Sequence, residues 1–162
     1  MVPDSPDSPV RPAPFSLPDA LRRGGVHRAV AGDSVSAVLE AVTRLPGVPA
    51  GLNRAALLKL LLGREALAST ALGGGIAVPH PRDPGPVRAE LPTVLLCYLQ
   101  RAVDWHALDG QLVRVVFLLL SPTPKLHLLA LSQLAFALRD ETFKALLDAQ
   151  ADAEQLLQRL ER

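Results

Sequence analysis

The sequence predicts an α/β fold, a buried β-sheet layered between helices, and three observations carry that expectation. Two strand-sized runs, Thr93–Leu99 (TVLLCYL) and Val113–Leu120 (VRVVFLLL), are apolar at nearly every position, as strands covered on both faces are. Segments before and after them repeat apolar residues at helical spacing, so helices flank the strands in sequence and can cover them in space. The 162 residues are 49% hydrophobic but only 4% aromatic, enough for one sizeable and mainly aliphatic core.

The elements follow in order. Residues 1–20 hold many of the prolines with Asp and Ser and few large apolar groups, and are expected to form a flexible Pro-rich segment ahead of a folded domain at 21–162. Gly24-Gly25 marks a turn, and Val26–Val30 reads as a short strand. Asp33 or Ser34 can cap a helix with Val35, Val38, Leu39 and Val42 on one face, ended by Leu45-Pro46-Gly47. Asn53 caps a second helix, whose apolar surface is Leu57, Leu58, Leu60, Leu61 and Leu62. Leu67–Val78 is read as an irregular loop feeding a strand at Ile76–Val78, and Pro81–Pro92 as a surface loop. Past the two buried strands, Ser121-Pro122-Thr123-Pro124 breaks the chain. A helix follows over 125–138, with Leu128, Leu131, Ala135 and Leu138 as its expected buried stripe. Asp140 can cap the next helix, bearing Phe143, Leu146 and Leu147, and a last one carries Leu156, Leu157 and Leu160.

Charge and cysteine usage narrow the function classes. With 17 basic and 16 acidic residues the net charge is +1, which argues against nucleic acid or an anionic membrane as the main partner. The single Cys97 lies inside an apolar run and reads as a buried, inert thiol, so no intrachain disulfide forms. No apolar run approaches the roughly 18–20 residues of a membrane span. The N-terminus has acid and proline where a signal peptide has basic and apolar residues, so a cytoplasmic location and no membrane insertion are expected.

The chemistry centres on histidine. Among His27, His80, His106 and His127, two have surroundings that suggest work. His80 ends the stretch Gly73-Gly74-Gly75-Ile76-Ala77-Val78-Pro79-His80, where glycines free the backbone and Pro79 then restricts how the ring is presented. His127 falls in the first turn of a helix, where the helix dipole favours anions. Arg64 adds a guanidinium whose fork matches phosphate oxygens. These residue types suit a phosphoryl group, but spacing alone does not bring them together. The glycines lack the Gly-Lys-Ser/Thr of a nucleotide P-loop, and no C-x-x-C, H-E-x-x-H or G-x-S-x-G is present, so neither a metal site nor a serine hydrolase is read.

Arg64-Glu65-Ala66-Leu67-Ala68-Ser69-Thr70 followed by Gly73–His80 resembles the signature of the EIIA domain of the bacterial phosphoenolpyruvate-dependent phosphotransferase system, in its mannitol/fructose subtype, which includes the nitrogen-regulatory EIIA proteins. Val103-Asp104, Ala107–Gly110, Val113–Leu120 and His127-Leu128 with Leu131 resemble the second half of that domain in the same order. The resemblance covers about Leu21 to Leu160. It implies a mixed central sheet flanked by helices on both faces. It also implies that His80 accepts a phosphoryl group on Nε2 from HPr or its nitrogen-branch homologue, with His127 and Arg64 as the other active-site residues. Ser69, Thr70, Gly73, Gly74 and Gly75 would then form the loop at the phosphoryl site. The partner after transfer would be an EIIB domain or a regulated protein, and no metal or other cofactor is implied. The chain departs from the family pattern at Ala71-Leu72, where members carry Gly-Ile, which predicts a slightly stiffer loop. Nucleophilic attack further requires a neutral His80 ring whose other nitrogen is held as N–H, for instance by a backbone carbonyl.

Overall fold

A computed structural model describes residues 15–83 and 90–162. Its centre is a five-stranded mixed sheet in the order β1-β4-β5-β3-β2, formed by β1 (Val26–Val30), β2 (Ala71–Gly73), β3 (Ile76–Ala77), β4 (Thr93–Val103) and β5 (Val113–Leu120). β1 runs parallel to β4 and β3 parallel to β5, whereas the β4–β5 and β2–β3 pairs are antiparallel. Six helices among the described residues accompany it: α1 (Leu17–Gly24), α2 (Val35–Thr43), α3 (Arg54–Leu67), α4 (Pro124–Ala137), α5 (Glu141–Asp148) and α6 (Ala153–Leu160).

The two apolar runs behave as expected, and the reason is visible in their alternation. Leu95, Cys97 and Leu99 of β4 with Val116, Leu118 and Leu120 of β5 face a layer made by α2 and α3. Val94, Leu96 and Tyr98 with Val115, Phe117 and Leu119 face a second layer containing α1, α4, α5 and α6. Side chains in a strand alternate faces, so only a run apolar throughout can feed two cores at once. The Cys97 thiol is enclosed, and burial pushes it up to about 12, which makes it inert at neutral pH. Ser34 and Asn53 cap α2 and α3 by accepting from the amides of Ala37 and Ala56.

The structure corrects three sequence expectations. Folding begins before residue 21: Ser16 caps α1, Pro18 sits in its first turn, and Phe15, Leu17 and Ala20 are buried. Proline is tolerated at that position because a first-turn amide has no intrahelical partner anyway. Residues 1–14 of the expected flexible segment lie outside the described residues, as do 84–89 of the surface loop. The supposed loop at 67–78 contains β2, which pairs with β3 as a hairpin turning through Gly74-Gly75. Finally, α4 buries Ala130 and Leu134, flanked by Leu126, Leu131, Ala137 and Leu138. Leu128 is instead 69% exposed and Ala135 faces solvent. The helix is apolar on most of its circumference, so its periodicity offered several stripes and only the sheet chose among them.

Candidate functional site

His80 follows β3 at the end of the sheet where β5 gives way to α4. The parallel ladder continues past β3, with the Leu119 amide donating to the Pro79 carbonyl at 3.1 Å. That contact fixes the backbone immediately before the histidine. From the other side of the break, Thr123 caps α4 by accepting from the Leu126 amide, and His127 lies in the first turn. The two rings meet with centroids 4.7 Å apart and planes tilted by 46°. The sequence separates them by 47 positions; the β3–β5 pairing brings them together.

His80 Nδ1 lies 2.8 Å from the Val78 carbonyl oxygen. A carbonyl only accepts, so Nδ1 carries the hydrogen and Nε2 keeps a free lone pair. A nucleophilic imidazole requires such an arrangement. Burial, the largest influence, lowers the pKa of His80 below that of free imidazole, and the Arg64 charge adds to the lowering; the Val78 contact and Glu65 oppose it. His127 is pushed down to about 4, by burial first and then by the charges of His80 and Arg64. Both rings are therefore neutral at physiological pH.

Arg64 stands in the last turn of α3, its Nη1 donating to the Ala68 carbonyl at 2.7 Å. Its charge lies near enough to act on both imidazoles. The remaining candidates divide. The Ser69 hydroxyl donates to the Trp105 carbonyl and accepts from the Ala71 amide, and the Thr70 hydroxyl donates to Glu65. Both hydroxyls staple the chain beside the site. The glycines stand further off: Gly75 pairs with Arg114 and Val115, whereas Pro79 pairs with Leu119, which puts the glycine turn at the opposite end of the strand from His80. The Gly74 amide donates to Asp109 at 2.8 Å, so it is engaged in the turn. Gly73, Gly74 and Gly75 all have positive φ, which explains why glycine is needed there. Ala71 is absent from the non-glycine residues with positive φ, so alanine fits its place in β2 without strain.

Sequence reasoning missed the part played by Glu65 and Trp105. Trp105 is 1% exposed and its indole Nε1–H donates to Glu65 at 3.2 Å. A lone tryptophan in the connection between two strands was the available signal. His106 is exposed, and His27 contacts the Gly24 carbonyl; both lie outside the site. Among the described residues no group of three or more His, Cys, Asp and Glu side chains is gathered as a metal site would need. A cavity of about 690 Å³ lined by residues from Pro46 to Leu52 lies away from the histidines. So does one of about 520 Å³ beside Phe136.

An imidazole pinned through one nitrogen beside a second imidazole, at the end of an α/β sheet, is an arrangement suited to a histidine phosphocarrier. Comparison with known proteins identifies the family. Residues 24–162 match the model described as phosphoenolpyruvate-dependent sugar phosphotransferase system, EIIA 2, and the chain belongs to that family. It is 41% identical over 106 residues to a nitrogen regulatory protein of Bradyrhizobium diazoefficiens, spanning 64% of this chain and 67% of that relative. It is 32% identical over 144 residues to a nitrogen regulatory protein of Klebsiella oxytoca, spanning 86% and 87%. The crystal structure of nitrogen regulatory protein IIA-Ntr from Neisseria meningitidis superposes with a TM-score of 0.76 at 27% identity, over 89% of this chain and 98% of that one. The IIA mannitol structure from Escherichia coli shares the fold, with a TM-score of 0.66 at 19% identity over 85% and 96%. No helix among the described residues is long and apolar enough to cross a membrane.

Proposed function

We propose that His80 is the phosphoryl acceptor of this EIIA domain and that the domain serves regulation. The donor is the phosphohistidine of HPr or of its nitrogen-branch homologue. The observation that carries this reading is the 2.8 Å contact from His80 Nδ1 to the Val78 carbonyl, which leaves Nε2 as the bare nitrogen.

In the transfer, the Nε2 lone pair forms a bond to phosphorus as the donor's N–P bond breaks, and that electron pair returns to the donor imidazole. Such a reaction depends on positioning and charge stabilisation more than on covalent help. Arg64 neutralises the phosphoryl oxygens, and His127 contacts them from the start of α4. A neutral His127 can donate one N–H, and the arriving dianion favours uptake of a second proton. In this sense the protein is a phosphotransferase that carries the group on itself.

The regulatory role is supported by the nitrogen regulatory relatives, which align over most of their own length. The sugar-transport alternative, in which phosphate passes to a cysteine of a separate EIIB, draws support from fructose-specific relatives in Bacillus subtilis and Haloferax volcanii. It also draws on the fold shared with enzyme IIA mannitol, solved in complex with phosphorylated enzyme IIB mannitol.

Incubation with phosphoenolpyruvate, enzyme I and HPr or its homologue, followed by intact mass, tests the proposal. One acid-labile phosphoryl group is expected on the wild type and none on His80→Ala; His127→Ala slows the gain without abolishing the fold. Labelling of His80→Ala at the wild-type rate would overturn the assignment. Onward transfer to a purified EIIB would favour the transport alternative.

A further inference from the structure

The hairpin that leads to His80 contains an irregularity that the phosphocarrier reading leaves unexplained. Ala71 pairs with Ala77 in the antiparallel β2–β3 ladder, so Thr70 and Val78 are the next residues opposite each other. The Val78 amide donates to the Thr70 carbonyl at 3.0 Å. In a regular hydrogen-bonded pair the two residues exchange both bonds, and the Thr70 amide would return to the Val78 carbonyl. It does not. The Thr70 amide donates to Glu65 Oε2 at 3.1 Å, and the Val78 carbonyl accepts from His80 Nδ1 instead.

Glu65 is held ready for this. Its Oε1 also accepts the Thr70 hydroxyl and, at 3.2 Å, the Trp105 indole N–H, so three donors from two parts of the chain converge on one carboxylate. Thr70 is 4% exposed and Trp105 1%. Hydrogen bonds to an ionised acceptor are among the stronger ones, and here they are partly buried. Trp105 is tied in turn by its carbonyl to the Ser69 hydroxyl. The hydrogen bonds of Glu65 go to Thr70 and Trp105, while its charge acts on His80.

We propose that Glu65 is a positioning residue for phosphoryl acceptance: by capturing the Thr70 amide it withdraws a competing donor from the Val78 carbonyl, which is thereby reserved for His80 Nδ1. This rests on His80 being the acceptor. The consequence is a defined tautomer. Without the carboxylate the Thr70 amide closes the ladder on Val78, so the His80 ring must share that carbonyl with it and is held less firmly. Nε2 then carries the hydrogen in part of the population and that fraction cannot attack phosphorus.

The test reads the tautomer directly, in the whole unphosphorylated chain, from two-bond ¹H–¹⁵N correlations of the histidine rings. The wild type is expected to show His80 as the Nδ1–H form. Glu65→Ala is expected to show a mixture of forms and, with phosphorylated HPr as donor, an initial rate lower by roughly tenfold or more, since misplaced reacting groups cost at least that much. Glu65→Gln keeps one acceptor oxygen and should recover part of both signals. If Glu65→Ala does not fold, Glu65→Met, of similar length and with no acceptor oxygen, takes its place and should shift the tautomer, whereas Thr70→Val keeps the captured amide and should stay wild type. An unchanged Nδ1–H tautomer in whichever of Glu65→Ala and Glu65→Met folds would overturn the proposal. Failure of the wild type to take up phosphate would instead overturn the acceptor reading, because the tautomer is measured without any transfer.

Discussion

His80 and His127 are prepared as neutral bases by the same burial that holds their rings together, and this has a consequence for stability. His127 is pushed from an ordinary 6.5 down to about 4, chiefly by burial. A histidine whose pKa is depressed in the folded state takes up its proton first in the unfolded chain, so acid favours unfolding. The associated stability is whole above about pH 6.5 and is lost as pH falls toward 4. Replacing His127 by Gln removes the titrating group. Urea midpoints measured from pH 7.5 to pH 4.5 should therefore fall more steeply for the wild type than for His127→Gln; parallel curves would show that His127 is not buried in its neutral form. The lowered pKa of His80 acts in the same direction, so part of the acid sensitivity remains in the variant.

The elements are held close by glycine at one place where the backbone itself leaves no room. A Cβ on Gly47 would lie 1.8 Å from the Gly24 carbonyl oxygen, and one on Gly24 would lie 2.0 Å from that of Val94. The end of α1, the segment after α2 and the start of β4 thus touch main chain to main chain. Gly47→Ala is expected to destabilise the protein by about 3 kcal/mol, since the backbones must separate. Gly63 in α3 is the opposite case: nothing lies within 4 Å of an added Cβ and the position is helical. Gly63→Ala should raise stability by about 0.8 kcal/mol through helix propensity. Denaturant melts of the two variants should shift in opposite directions, and a shift of the same sign would contradict this account.

The molecule is two cores sharing one sheet. β4 and β5 supply alternate residues to the α2–α3 layer and to the layer of α1, α4, α5 and α6, so neither layer can leave without exposing the other face of the same strands. Trp105, the only tryptophan, lies in the first core, and Tyr98, the only tyrosine, in the second. Tyr98 donates its hydroxyl to the Ala151 carbonyl at 2.8 Å, which ties the sheet to the segment ahead of α6. Fluorescence of Trp105, near-ultraviolet circular dichroism of Tyr98 and far-ultraviolet dichroism should therefore report one urea transition with one midpoint. Separate midpoints would mean that the layers unfold independently.

Much of this architecture was legible in the chain. Strands apolar on every residue announced a sheet covered twice, and Ser34, Asn53, Asp140 and the helical stripes placed the helices, because burial and capping act over a few neighbouring residues. The family motif singled out His80, His127 and Arg64. Other features depended on distant partners. Phe15 and Leu17 read as part of a flexible segment because the surface that buries them is built by later elements. The stripe of α4 was misplaced because an almost wholly apolar helix has no preferred face until a sheet supplies one. β2 escaped notice because three residues carry no period. The sequence by itself determined the layers, the caps and the residue types of the site. Only the tertiary structure decided that His80 and His127 face each other, because the β3–β5 pairing joins residues far apart in the chain, and that Glu65 takes the Thr70 amide, because that bond stands where the unrecognised β2–β3 ladder would have placed one.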